Sequence, residues 1–405
     1  NILKIFIFIL FLPLLILIKI ISNFFLVRFG ELVSDRIGHF ACCVELYLCE
    51  KDHGINVPQK KFLDLFIIGK KISNKQLEIL FKRKLIILPR FILSPLINLN
   101  KILPGGEKHD FYYRKNLIEK KNFLQHRDVN NLLDVSNNHF QFTEKEKNEA
   151  KKKCDQVGID LNRKIVTINL RDSHYFDKYH SNKNFEYFDV KNCDINNYIL
   201  AIEELIKCDY QVVRLGKGSN IKLKINNLNY FDLTNHQIRS DLLELFLSER
   251  SSFIIGCNSG ATYAALYLFK KPTYISNVLP LGVAYTNSKK ILTNFKSIIC
   301  TKTNKKLSLT EIYDRGLFFY QRTERYKNEN LAFKSLDPKI IQKSVNELML
   351  RSENKWVESK EEQRLNNKFI EVYNGILKKN KDIIHGKINC HFGYDYLKDN
   401  EDILR

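Results

Sequence analysis

The chain has 405 residues, 44% of them hydrophobic, and a formal net charge of +20, which suits a globular protein with real cores and leaves room for two domains. Its nine cysteines are scattered without a CxxC pair, which argues against a disulfide framework or a zinc site and for a reducing compartment; no metal is expected. The positive charge attracts phosphates, nucleic acid or anionic lipid, but no basic helix interleaved with aromatics and no nucleic-acid-binding motif is present, so no nucleic-acid partner is expected.

Ile5–Ile18 is uninterrupted apolar sequence between Lys4 and Lys19. It is shorter than the roughly 20 residues of a bilayer span, but snorkelling lysines and the flanking Ile20–Ile21 can extend it. A buried helix and a cleaved signal peptide are the alternatives, and no small-residue cleavage site follows. Residues 1–22 are therefore read as a hydrophobic membrane anchor, with catalytic domains on the cytoplasmic side.

Phe24–Phe29 reads as a short buried strand, Gly30–Gly38 as a loop and Ile37–Cys49 as a helix. Phe62–Ile68 suggests a strand, Lys75–Phe81 a helix and Leu85–Leu88 another strand, with helix-like sequence through Leu99. Thr143–Val157 is helical, opened by a capping box of Thr143 and Glu146. A fresh pattern then begins. Ile165–Leu170 is a strand, and Asn196–Lys207 a helix behind the N-cap candidate Asp194. Tyr210–Leu215 and Tyr230–Asp232 are strands, and Asp241–Ser248 a helix. Phe253–Ile255 is a buried strand, followed by an apolar helix opening at Ala261–Thr262 and a strand at Thr273–Ser276. Strands alternating with helices imply βαβ units and parallel sheets. Lys339–Arg351 and Glu361–Lys379 read as late helices. The expected organisation is an anchor (1–22), an N-terminal Rossmann-like acceptor domain (23–155), a C-terminal Rossmann-like donor domain (156–335) and a helical tail (336–405).

The most informative stretch is Phe253–Gly282. Gly256, Cys257, Asn258, Ser259 and Gly260 form a tight loop where a parallel strand hands over to a helix. The first N–H groups of a helix are unpaired and its dipole favours negative charge, so a phosphate or diphosphate is the natural guest. Asn258, Ser259 and Thr262 add side-chain donors, although a turn that needs glycine for packing alone is the alternative. Strand Ile165–Leu170 ends in Arg171 and Asp172. Arg171 suits bidentate pairing with a diphosphate, and Asp172 can orient Arg171 or a sugar hydroxyl; a structural Arg–Asp pair is the alternative. Arg214, Gly216 and Lys217 bring positive charge to the same crevice or form a solvated loop. In the first domain, Arg28 through His39 packs charges and glycines between a strand and a helix. Glu31, Asp35 and His39 are candidates for a general base, or else cap the helix or pair with Arg28 or Arg36. Arg28 and Gly30 are candidates for acceptor binding.

The segments Leu26–Leu48, Val166–Phe176, Asp194–Lys217 and Phe253–Asn277, in that order, resemble a family of glycosyltransferases from bacterial surface-polysaccharide gene clusters, similar to the GT-B fucosyltransferase-like enzymes. The resemblance implies a GT-B-like α/β fold, in which two Rossmann-like domains with parallel sheets face a central cleft. It implies inverting, metal-independent transfer from a nucleotide-diphosphate sugar to a carbohydrate or glycolipid hydroxyl at a membrane surface, with no cofactor beyond the donor. The family's two-arginine motif after the first strand of the second domain matches Leu170, Arg171 and Asp172 here, with one arginine only, so fucosyl specificity does not carry over. The family's Ser-Gly donor loop matches Asn258, Ser259 and Gly260, and Ser240 and Asp241 also match its pattern near the nucleotide. The alternatives are a nucleotide-sugar epimerase and a non-catalytic membrane-bound scaffold.

Overall fold

The computed structural model describes residues 2–111, 126–171, 190–219, 221–379 and 386–404. The chain divides into two compact units, residues 1–127 with 139–141 and residues 128–138 with 142–405.

In the first unit, α1 (Ile2–Ile21) precedes β1 (Phe25–Leu32), α2 (Ile37–Asp52), β2 (Lys61–Ile68), α3 (Lys75–Lys82), β3 (Ile86–Ile87) and α4 (Arg90–Ile102). The three strands pair in parallel in the order β1-β2-β3. Parallel strands need covered faces, and the apolar α2, buried from Phe40 to Glu50, helps to supply that cover. α1 packs on α4: Leu15 and Ile18 join Val27, Phe29, Ile67, Leu93, Leu96 and Leu99 in one core cluster. Among the described residues no helix is long and apolar enough to cross a membrane, and one face of α1 is part of the unit's core.

The second unit opens with α5 (Glu144–Val157), whose capping box is the one read from sequence. It continues through β4 (Ile165–Asn169), α6 (Ile199–Lys207), β5 (Gln211–Leu215), β6 (Tyr230–Asp232), α7 (Asp241–Arg250), β7 (Phe253–Cys257), α8 (Gly260–Phe269), β8 (Thr273–Val278), β9 (Ile291–Phe295) and β10 (Ser297–Cys300). α9 (Leu309–Asp314), α10 (Thr323–Asn328), β11 (Leu331–Lys334), α11 (Pro338–Ser352), α12 (Lys360–Lys379), β12 (His391–Phe392) and α13 (Tyr394–Asp399) follow. Among the described residues seven strands form one parallel sheet in the order β12-β9-β8-β7-β4-β5-β6. The central strands β4, β5, β7, β8 and β9 are buried along their whole length, as a sheet covered on both faces requires. Numbered from β4, the run β6-β5-β4-β7-β8-β9 has the order 3-2-1-4-5-6. That is the doubly wound Rossmann order, whose direction reverses between β4 and β7.

Candidate functional site: the switch point of the second sheet

In an open α/β sheet the ligand crevice lies beyond the carboxyl ends of the strands where the winding direction changes. Here that point brings together the end of β4, carrying Arg171, and the β7–α8 turn, carrying Asn258–Ala261. Two hydrogen bonds tie the ends together. The Arg171 N–H donates to Cys257 Sγ at 3.1 Å, and the Thr262 hydroxyl donates to the Asn169 carbonyl at 3.3 Å.

The turn is built by its side chains. Asn258 Nδ2 donates to the Leu279 carbonyl at 2.6 Å and its Oδ1 accepts from the Tyr263 hydroxyl at 2.8 Å. Ser259 is the N-cap of α8; its Oγ accepts from the Thr262 N–H at 3.4 Å and meets Thr262 Oγ1 at 2.9 Å. Gly256 lets α8 approach the strand, because a Cβ there would lie 2.2 Å from Thr262 Oγ1. Asn258, Ser259 and Thr262 therefore shape the turn. Gly260 and Ala261, both half-buried, open the helix ahead of its first internal bond, Tyr263 N–H to the Ser259 carbonyl at 3.2 Å. Such N–H groups at a positive dipole end suit an anion.

Arg171 is half-buried and held at several atoms. Its carbonyl accepts from the Cys193 N–H at 3.1 Å and lies 3.4 Å from the Cys193 thiol. Its Nε donates to Asn192 Oδ1 at 3.0 Å, and the buried Lys296 donates from Nζ to the carbonyls of Val190, at 3.0 Å, and Asn192. Lys296 thus braces the segment that orients the Arg171 guanidinium. Asn192, Cys193 and Lys296 escaped sequence reasoning, since they lie 21 or more residues from Arg171 and no local pattern marks them. Asp172 lies outside the described residues.

The other donor-side candidates divide. Arg214 is 1% exposed. Its guanidinium donates to Asp232 at 2.9 Å, to the Ile221 carbonyl at 2.6 Å and to Ser219 at 2.7 Å. The expectation that it brings charge to the crevice is corrected: a buried place near the end of β5, facing Asp232 on β6, commits it to the loop after β5. Gly216 has φ +131, a backbone region restricted to glycine. Its N–H donates to Glu244 at 3.2 Å and its carbonyl accepts from Arg239 at 3.2 Å. Arg239 also pairs with both Glu244 oxygens, at 2.9 and 2.8 Å, while burial raises the Glu244 pKa. This clamp was not foreseen. Lys217 is exposed. Ser240 N-caps α7 by accepting from the Leu243 N–H at 3.2 Å and also accepts from Lys153 at 2.9 Å; Asp241 pairs with Arg239 at 3.6 Å.

In the first unit, β1 runs on to Leu32, so Gly30 and Glu31 lie in the strand and not in the expected loop. Gly30 packs under Phe66, whose ring would stand 3.0 Å from a Cβ. Arg28 is inside the sheet, bidentate to Asp64 at 2.6 and 2.7 Å and flanked by the rings of Phe62 and Phe111. The acceptor-binding expectation for Arg28 and Gly30 is corrected accordingly: both are packing residues of β1. Glu31 pairs with Arg90 at 2.7 Å. Asp35 is exposed just before α2. His39, on the first turn of α2, meets the His126 ring edge-on at 4.4 Å. Glu45, Cys49 and His139 bring three potential metal-ligand atoms within 4.8 Å of one another, a grouping that the expectation of no metal passed over.

No protein-family description and no curated protein matches the sequence. Solved structures do. The chain is similar to E. coli ADP-heptose lps heptosyltransferase II at 13% identity and TM-score 0.44, over 80% of this chain and 99% of that one. It is similar to the glycosyl transferase family 9 protein of Veillonella parvula DSM 2008 at 10% identity and TM-score 0.47, over 80% and 97%. A third similarity is to the dodecameric iron-containing heptosyltransferase TibC in complex with ADP-D-beta-D-heptose, at 12% identity and TM-score 0.30, over 65% and 60%. Likeness at these values establishes neither family nor activity for this chain.

Proposed function

We propose that the chain is a glycosyltransferase that moves a sugar from a nucleotide-diphosphate sugar to a hydroxyl acceptor in surface-polysaccharide or glycolipid synthesis, with inversion and without a metal at the donor. One observation carries the reading: the opening N–H groups of α8 and the braced Arg171 meet at the switch point of a Rossmann-ordered sheet. The donor diphosphate would bridge them. Both groups are fixed before the reaction, so they stabilise the charge that develops on the departing nucleoside diphosphate without reorganising.

On the acceptor side the reading favours Asp35 as general base. Glu31 is engaged by Arg90 and the His39 ring by His126, whereas Asp35 is exposed at the entrance to α2. Membrane association, in this reading, is attachment to a surface from the cytoplasmic side. α1 exposes Ile9, Leu10, Leu14, Ile16, Leu17 and Ile20, an apolar face suited to lying in the interface plane.

The test is a thermal-shift screen against UDP, GDP, ADP and dTDP, with ADP included because it is named in two of the similar structures. The matching nucleotide at 100 times its Kd is expected to stabilise by about 2.7 kcal/mol. Arg171→Ala should lose that shift while remaining folded. Asp35→Asn should keep the shift and lose about 10²–10⁴-fold in turnover. An unchanged shift in Arg171→Ala refutes the donor assignment.

A further inference from the structure

Helix α2 carries Glu45, Cys49 and Asp52 at the i, i+4 and i+7 spacing that places them on one face. Opposite them stands His139, from the short stretch 139–141 that belongs to the first unit although both of its flanks belong to the second. Its Nδ1 lies 2.9 Å from Glu45 Oε1, and Cys49 Sγ lies 3.5 Å from the same oxygen. Its Nε2 lies 2.8 Å from Asp52 Oδ2. Glu45 and Cys49 are fully buried.

We propose that Glu45, Cys49 and His139 bind a divalent cation of the zinc class through one carboxylate oxygen, one thiolate sulfur and imidazole Nδ1. The donor set mixes oxygen, sulfur and nitrogen, which suits a borderline-soft cation and not magnesium or calcium. The spacing is close to what the ion needs. Tetrahedral bonds of about 2.0 Å to nitrogen and oxygen and about 2.3 Å to sulfur separate sulfur from oxygen by about 3.5 Å and nitrogen from oxygen by about 3.3 Å. The first separation is already present, and the second requires the ring to withdraw by about 0.4 Å. A water or the second Glu45 oxygen completes the tetrahedron.

Asp52 supplies the second argument. Metal-bound imidazoles commonly donate their other N–H to a carboxylate, which fixes the tautomer and aims the lone pair. Asp52 does this for Nε2 and leaves Nδ1 directed at Glu45 and Cys49. Binding would release the thiol proton and any proton on Nδ1 to solvent. The two ligand charges then neutralise the cation in a buried place, where an uncompensated charge is costly. The bound ion would clip residues 139–141 to α2. It is a structural ion in the first unit, and its presence or absence is independent of the donor site proposed above.

The test uses the full chain, freed of metal by a chelator and then titrated with Co²⁺, Zn²⁺ or Mg²⁺. Co²⁺ is expected to produce a thiolate-to-metal charge-transfer band, and Zn²⁺ to raise the thermal midpoint while Mg²⁺ leaves it unchanged. Cys49→Ser should abolish the band, whereas Cys42→Ser and Cys43→Ser should retain it. Asp52→Asn alters an exposed carboxylate and should keep the fold and the band while weakening Zn²⁺ about 10–100-fold. A wild-type protein with neither band nor zinc shift overturns the proposal. So does a band that survives Cys49→Ser, or zinc affinity unchanged in Asp52→Asn.

Discussion

Arg28 and Arg214 each stand inside a buried strand, and each is held by a carboxylate from the neighbouring strand. The pairs are in register: Arg28 faces Asp64 across β1–β2, and Arg214 faces Asp232 across β5–β6. Removing one partner of a buried pair leaves the other charge uncompensated. Asp64→Ala is therefore expected to cost about 3–5 kcal/mol, read as a lower urea midpoint, while the nucleotide-induced shift of the second unit stays as in wild type. A loss within 1 kcal/mol would mean that Arg28 finds water or another partner. The sequence marks these arginines as charges near a strand end, which is why they read as ligand groups. Their carboxylates lie 36 and 18 residues away, and only strand order and register bring them opposite. Two charges of opposite sign inside two apolar runs is the pattern that hints at such a pair. Arg171 differs in one respect: it follows its strand, and its Nε donates to Asn192 Oδ1 in place of a carboxylate on a neighbouring strand.

The β7–α8 element was legible because its signal is local. A buried apolar run, a stretch of small polar residues and a second apolar run specify strand, turn and helix without help from elsewhere. The division of labour within the turn was not legible, because the partners of Asn258 and Thr262 are the carbonyls of Leu279 and Asn169. The two possible roles of Ser259 make different predictions. If its hydroxyl only caps α8, Ser259→Ala costs about 1 kcal/mol and Ser259→Gly a few tenths, and the nucleotide shift persists in both. Loss of the shift in a folded Ser259→Ala protein would reassign the hydroxyl to the ligand. α1 shows the same limit from the other side. Its apolar run is plain, but apolarity alone does not say whether lipid or α4 covers it, and the structure gives Leu15 and Ile18 to the core.

At the scale of the whole chain, βα alternation identified two α/β regions, yet it could not reveal that the chain doubles back between β4 and β7, since order in a sheet is a long-range property. Nor did it reveal that the C-terminal segment read as helical returns a strand: β12 pairs with β9 at the sheet edge. That return places His391 where pH can be felt. Burial, reinforced by the Arg351 charge and opposed by Glu358, lowers the His391 pKa to about 4. The unfolded chain, with an ordinary histidine near 6.5, therefore binds more protons than the folded one between these values. Stability from this group is complete above about pH 6.5 and is lost as pH falls towards 4. Glu347 works in the opposite sense: burial raises it to about 7, so its contribution falls as pH rises from about 4.5 to 7. The wild-type profile alone mixes the two, and a comparison with His391→Asn separates them. Because the ring is part-exposed, the stability difference between the two proteins should move in favour of the variant by about 1–2 kcal/mol from pH 7 to pH 4.5, followed by urea unfolding at each pH. A difference that stays constant across that range would show that His391 keeps an ordinary pKa and that β12 does not bury it in solution.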